Sequence, residues 1–218
     1  MPTCGRAFRL TALAISLAAL LGGCSHEDAS TSPLQAWSEA PAQLRALLWP
    51  EPRPLGQFAL ETQHGAAFGP KQFEGQWSFL FFGFLSCPDV CPTTLSAMRE
   101  LRRSLIEADP KAASYRFVFV SVDPEVDSAE AMTGYLSHFD PDFIGLRGES
   151  AALKPLLDAL AVMAVPVTDE NTGVRSFDHT SSVMLINPQG QAVGALPPPH
   201  NPQRMLEGFL NLRAYLDR

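Results

Sequence analysis

The sequence predicts an α/β domain in which a central mixed sheet is flanked by helices on both faces. Three observations carry this. Residues 77–84 and 115–122 are apolar runs of strand length, rich in aromatic and β-branched residues, as expected of strands buried on both sides. Stretches with apolar residues at helical spacing follow each run. Near the C-terminus two further apolar runs are joined by Asn187-Pro188-Gln189-Gly190, the turn chemistry of a hairpin, and a last amphipathic stretch follows. Strand, helix, strand, helix, then hairpin and helix fits a layered sheet.

The elements are read as follows. Residues 58–68, with His64-Gly65 between two short runs, form an N-terminal β-hairpin. Residues 92–108 are helical, with Leu95, Met98, Leu101, Leu105 and Ile106 on one stripe and Pro92 in the first turn. A helix over 128–139 starts at a Ser128 cap, 143–146 is a short strand, and 150–163 is a helix. The hairpin spans 181–196 and the last helix 202–216. Cys87 and Cys91 lie where the first central strand meets its helix, which makes a thioredoxin-like arrangement the expected fold.

Residues 1–23 read as a signal peptide. Arg6 and Arg9 precede an uncharged apolar stretch too short to span a bilayer. Its end, Leu20-Leu21-Gly22-Gly23-Cys24, looks like a bacterial lipobox, so Cys24 is expected to carry acyl chains that tether the protein to the periplasmic face of a membrane. Residues 24–54, rich in Pro, Ser and Ala, read as a tether, with room for a short helix over 41–48, and 55–218 as the folded domain. About 195 residues after the leader suffice for one core. Removing the two leader arginines takes the net charge from −7 to −9, and an acidic chain without a basic cluster argues against nucleic acid.

With Cys4 in the leader and Cys24 acylated, Cys87 and Cys91 are the remaining thiols. Their spacing puts Cys91 near a helix N-terminus, where the dipole favours thiolate, and lets Cys87 bend toward it. Two thiolates also suit Cu(I). The spacing leaves a structural disulfide, a redox pair and a metal site open; three intervening residues, where redox motifs of this fold usually have two, weaken the redox reading. A metal needs a third ligand. Of five histidines, His179 stands in a loop just before the strand that starts at Ser181, a loop that would face the cysteines; Asp178 could orient its imidazole. Met98 and Met184 read as core residues rather than thioether ligands.

Phe82-Gly83-Phe84-Leu85-Ser86-Cys87-Pro88-Asp89-Val90-Cys91-Pro92-Thr93-Thr94-Leu95 resembles the signature of the Sco/SenC family of copper chaperones. Val120-Ser121-Val122-Asp123-Pro124, Phe139-Asp140-Pro141-Asp142-Phe143 and Asp178-His179-Thr180 resemble further blocks of that family, in the same order. The resemblance implies a thioredoxin-like domain holding copper, Cu(I) with Cu(II) as a second form, through Cys87, Cys91 and His179, with Asp123 as a supporting residue. It also implies delivery of copper to, or reduction of the cysteines of, the dinuclear site in cytochrome c oxidase subunit II, or service to another copper protein, with a thiol–disulfide reductant keeping the pair reduced. Phe84 and Leu85 depart from the residues usual in the family and remove no ligand. The competing readings are a metal-independent thiol–disulfide oxidoreductase, a thiol peroxidase, and a zinc site completed by water.

Overall fold

Two runs of side chains that cannot face water form the middle of the sheet. The computed structural model describes residues 37–218 except 169, 171, 172 and 174; the leader, Cys24 and the first part of the tether lie outside the described residues. In chain order the strands are β1 (Leu48–Pro54), β2 (Leu60–Thr62), β3 (Ala67–Phe68), β4 (Ser78–Gly83), β5 (Arg116–Ser121), β6 (Ile144–Arg147), β7 (Ala164–Thr168), β8 (Arg175–His179), β9 (Val183–Ile186) and β10 (Gln191–Leu196). The helices are α1 (Ala42–Arg45), α2 (Val90–Ala108), α3 (Ala129–Ser137), α4 (Ser150–Leu160) and α5 (Pro202–Leu216). Among the described residues no helix is long and apolar enough to cross a membrane.

Eight strands form one mixed sheet in the order β1-β10-β9-β4-β5-β6-β2-β3, with β4, β5 and β6 parallel and the other pairs antiparallel. β4 is buried at every position because it alternates between two cores. Phe79 and Phe81 join Leu95, Met98, Leu101, Phe117, Phe119, Met132 and Phe209 under α2, α3 and α5. Leu80 and Phe82 join Val118, Val120, Leu146, Leu153, Leu156 and Ile186 over α4. Each large side chain fully buried in this way contributes roughly 1.5–3 kcal/mol. On the first face, Phe79 stacks on Phe117 at 4.6 Å between centroids, and Trp77 meets Phe209 edge-on at 5.2 Å. Met98 and Met184 are buried in the cores, whereas Met163 is exposed.

Two sequence expectations are corrected. The domain begins before residue 55: β1, read as the end of the tether, pairs with β10 as an edge strand. Proline is tolerated at an edge, where only one side of the backbone needs partners. Leu48 is buried, the Leu48 carbonyl accepts from Trp37 Nε1 at 3.1 Å, and Arg53 lies 4.6 Å from the Trp49 ring centroid. Second, the residues just before Ser181, expected as a loop, include the strand β8. β7 and β8 form a separate antiparallel pair, so His179 is the last residue of a strand, opposite Ala164. Its pattern is weak in sequence because β7 carries Pro166 and buries little.

Gly194 in β10 lies so close to β1 that a Cβ would collide with the Leu47 carbonyl oxygen. Gly194→Ala is expected to lower stability by about 1–3 kcal/mol, read as a shifted denaturation midpoint.

Candidate metal and redox site

β4 ends at Gly83, and the chain runs through Phe84, Leu85 and Ser86 to Cys87 before α2 begins at Val90. Cys91 is therefore the second residue of the helix. It has no exposed surface, whereas Cys87 is half-buried, and both are free thiols. A Cβ built on Gly83 would lie 2.7 Å from Cys91 Sγ and 2.8 Å from Phe119 Cε2. Only glycine lets the helix start seat this sulfur against the end of the sheet.

Burial pushes the Cys91 thiol well above its ordinary pKa; a backbone hydrogen bond from Phe84 acts in the opposite direction, and Cys87 and Asp127 add to the rise. Burial of this covered sulfur thus acts against the thiolate that a helix N-terminus favours.

His179 comes from β8. Its Nε2 lies 4.0 Å from Cys91 Sγ. Its Nδ1 lies 3.1 Å from the Thr180 carbonyl, which can only accept, so the neutral ring carries its proton on Nδ1 and turns the Nε2 lone pair toward the sulfur. Burial holds the imidazole below its usual pKa, opposed by the Thr180 hydrogen bond and the Asp178 charge. Phe81 and Phe84 wall the ring, with centroids 6.1 and 5.9 Å away. The orienting acceptor is thus the Thr180 carbonyl and not Asp178, which is exposed and opposite Val165 on the ladder.

Cys87, Asp89, Val90, Asp178 and His179 share a cavity of about 310 Å³. A larger one, about 660 Å³, lies elsewhere, against Leu60, Arg147 and the start of α4. Thiolate and imidazole stand ~2.3 and ~2.0 Å from a bound metal such as zinc, so two ligands of one ion have donor atoms roughly 3.5–4.3 Å apart. The Cys91–His179 pair falls in that interval. Among the described residues no three His, Cys, Asp or Glu side chains are already gathered tightly enough to hold a metal, so closing Cys87 onto the same ion takes a further movement of its loop.

Asp123, taken from sequence as the supporting acid, is buried and faces Arg175 at 3.1 Å. The carboxylate that holds the cysteine loop is instead Asp127, which the sequence reading missed. It accepts the Leu85 N–H (3.3 and 3.2 Å to its two oxygens) and the Ser121 hydroxyl (2.6 Å). Burial raises the pKa of both acids; the Ser121 and Leu85 hydrogen bonds oppose this at Asp127, and Arg175 opposes it at Asp123. Also missed were Tyr135, whose buried hydroxyl has no hydrogen-bond partner among the described residues, and His200, which bonds the Ser181 carbonyl at 2.8 Å. Their signal is spatial; only the alternation of Arg175, Phe177 and His179, typical of one strand face, was visible in sequence.

Asp127→Ala is expected to cost about 1–3 kcal/mol, since it strands the Leu85 N–H, and to speed alkylation of Cys87; denaturation and thiol labelling read the two effects. In the wild type, iodoacetamide is expected to modify Cys87 well before Cys91, as followed by mass spectrometry. Equal rates would contradict the burial of Cys91.

The SCO1/SenC family model matches residues 50–213. A Stutzerimonas stutzeri protein whose name proposes copper binding is 37% identical over 157 residues, covering 72% of this chain and 76% of its own. The solved structure of Bradyrhizobium japonicum ScoI with copper bound aligns with a TM-score of 0.63 at 34% identity, over 73% of this chain and 98% of that one. Yeast Sco1 with copper bound aligns with a TM-score of 0.66 at 28% identity, over 74% and 89%. The fold is thioredoxin-like, as the strand order and the position of the cysteines anticipated. A family match spanning three quarters of the sequence, on a fold shared with copper-bound relatives, places this chain in the SCO1/SenC family.

Proposed function

We propose that this protein is a copper chaperone that binds one copper ion through Cys87, Cys91 and His179 and passes it to a copper protein, cytochrome c oxidase subunit II being the favoured recipient. The observation that carries this reading is the His179 Nε2 lone pair aimed at the covered Cys91 sulfur from 4.0 Å, with Cys87 on the same cavity. A soft pair of thiolates with one imidazole suits Cu(I), and Cu(II) is a second form the same ligands can hold. The copper-bound relatives support the cargo. The lipobox at Cys24 supports a lipid anchor on the periplasmic side of a membrane, where an acidic domain would meet its recipient.

A second activity has its own observation: Cys87 and Cys91 are both free thiols, four residues apart at the start of α2, and Cys87 is half-buried on the cavity. Attack of a Cys87 thiolate on a partner's disulfide forms a mixed disulfide and frees one partner thiolate. Cys91 then closes the Cys87–Cys91 bond and frees the other, so two electrons pass to the partner and a separate thiol reductant must return them. This reduction would prepare a recipient's cysteines for copper.

The test is copper stoichiometry of the fully reduced protein, with Cu(I) supplied against a competing chelator. One ion per chain is expected, lost in Cys87→Ala and Cys91→Ala and weakened roughly ten- to hundredfold or more in His179→Ala, which should still form the disulfide. Unchanged affinity in His179→Ala would remove the three-ligand site. No retained copper in the wild type would leave the thiol–disulfide activity alone.

A further inference from the structure

The β7–β8 pair is a separate two-stranded sheet, so the placement of His179 over the cysteines depends on side chains. Arg175, Phe177 and His179 alternate along β8 and share its inner face. Each meets a different part of the site. His179 faces Cys91. Phe177 packs on Phe84, in the cysteine loop, at 5.5 Å between centroids. Arg175 reaches the loop after β5: its Nη2 lies 3.1 Å from Asp123 Oδ1, its Nη1 donates to Glu125 Oε2 at 2.6 Å, and its guanidinium carbon stands 5.4 Å from the Phe177 ring centroid.

The two carboxylates are not equivalent. The Glu125 side chain is 71% exposed, and a pair of that kind holds little. The Asp123 side chain is 3% exposed, and Arg175 is the cation paired with it, so losing Arg175 leaves a buried charge without compensation. The Asp123 peptide N–H is itself held by Ser121 Oγ at 3.1 Å, and the same hydroxyl donates to Asp127, which grips the cysteine loop. Arg175 therefore joins the histidine strand to the framework that fixes the cysteines.

We propose that Arg175 is a positioning residue for copper binding: by neutralising buried Asp123 it fixes β8 so that His179 Nε2 stays opposite Cys91. The proposal rests on the copper reading above for its consequence, and on the Arg175–Asp123 pair for its geometry. Arg175 touches no metal. Its loss spares the Cys87–Cys91 pair, which is carried by the loop after β4 and the start of α2 rather than by β8.

The experiment compares wild type, Arg175→Gln, His179→Ala, the double variant, and Arg175→Gln with Asp123→Asn, all in the full chain. Three quantities are read: Cu(I) retention against a competing chelator, the rate of Cys87–Cys91 oxidation, and deuterium exchange along residues 175–180 and in β4. Arg175→Gln is expected to weaken copper retention roughly tenfold, to speed exchange in 175–180 but not in β4, and to leave thiol oxidation unchanged. The double variant with His179→Ala should be no weaker than His179→Ala alone, because the arginine acts through the histidine. Asp123→Asn should restore part of the loss, since a neutral amide needs no cation. Exchange unchanged in Arg175→Gln overturns the proposal whether or not the wild type holds copper. So does additive loss with His179→Ala, or a parallel rise of exchange in β4, which would mark general destabilisation. Faster exchange in 175–180 of Arg175→Gln, with a wild type that holds no copper, would refute the copper reading and keep the role of Arg175 in fixing β8.

Discussion

One buried carboxylate ties the site together. Asp127 has almost no exposed surface, yet it accepts from Leu85, which follows β4, and from Ser121, which ends β5. Parallel strands side by side need no such link along their length, because the backbone ladder holds them. Past their ends the ladder stops, and both chains must turn away without leaving amide groups dry. Asp127 fills that need for the Leu85 amide. The loop carrying Cys87 and the loop carrying Asp123 thus start from a shared anchor, and everything opposite them is placed against it.

On that base the two cysteines have different mechanical roles. Cys91 is fixed by the close approach at Gly83 and by Phe119, and its sulfur has nowhere to go. Cys87 is half-buried in a loop and can turn toward Cys91, toward the cavity, or toward a partner. His179 is held at its Nδ1 by Thr180 and at the far end of its strand by Arg175. As the proposed ligand set, these two fixed donors and one adjustable donor would suit an ion that must be released as well as held. A tighter cage would raise affinity and slow transfer.

The sequence revealed the parts whose signal is local. The buried runs of β4 and β5, the helix α2 behind the cysteines, the Asn187–Gly190 turn and the bounds of α5 all follow from spacing, propensity and turn chemistry. The pairing of Cys91 with His179, 88 residues away, was legible only because a strand was expected to begin at Ser181 and the preceding residues had to face the first helix. What stayed hidden has no local signature. β1 looked like a tether because three prolines are as common in linkers as at sheet edges. β7 and β8 are too little buried to show an apolar pattern. Asp127 reads as one acid among several, and its role comes from a loop 42 residues earlier in the chain. Asp178 was the plausible partner of His179 by adjacency, but neighbouring residues in a strand point to opposite faces, which leaves a backbone carbonyl as the acceptor.

The burial of Cys91 bears on how one pair of thiols can serve both copper and electron transfer. A covered sulfur keeps its proton, because charge without solvent is costly. It is then a poor nucleophile, and in the proposed exchange with a partner's disulfide the more exposed Cys87 would attack first. The same covered sulfur loses its proton readily once a cation takes the proton's place, since the metal supplies the charge that solvent cannot. Burial therefore suppresses stray thiol chemistry at Cys91 without barring copper. The neutral His179, held below its usual pKa by the same burial, offers a lone pair in place of a second positive charge, so the pocket that discourages a thiolate would suit the proposed copper ion. Their difference in exposure thus gives the two cysteines of one short motif different chemistry.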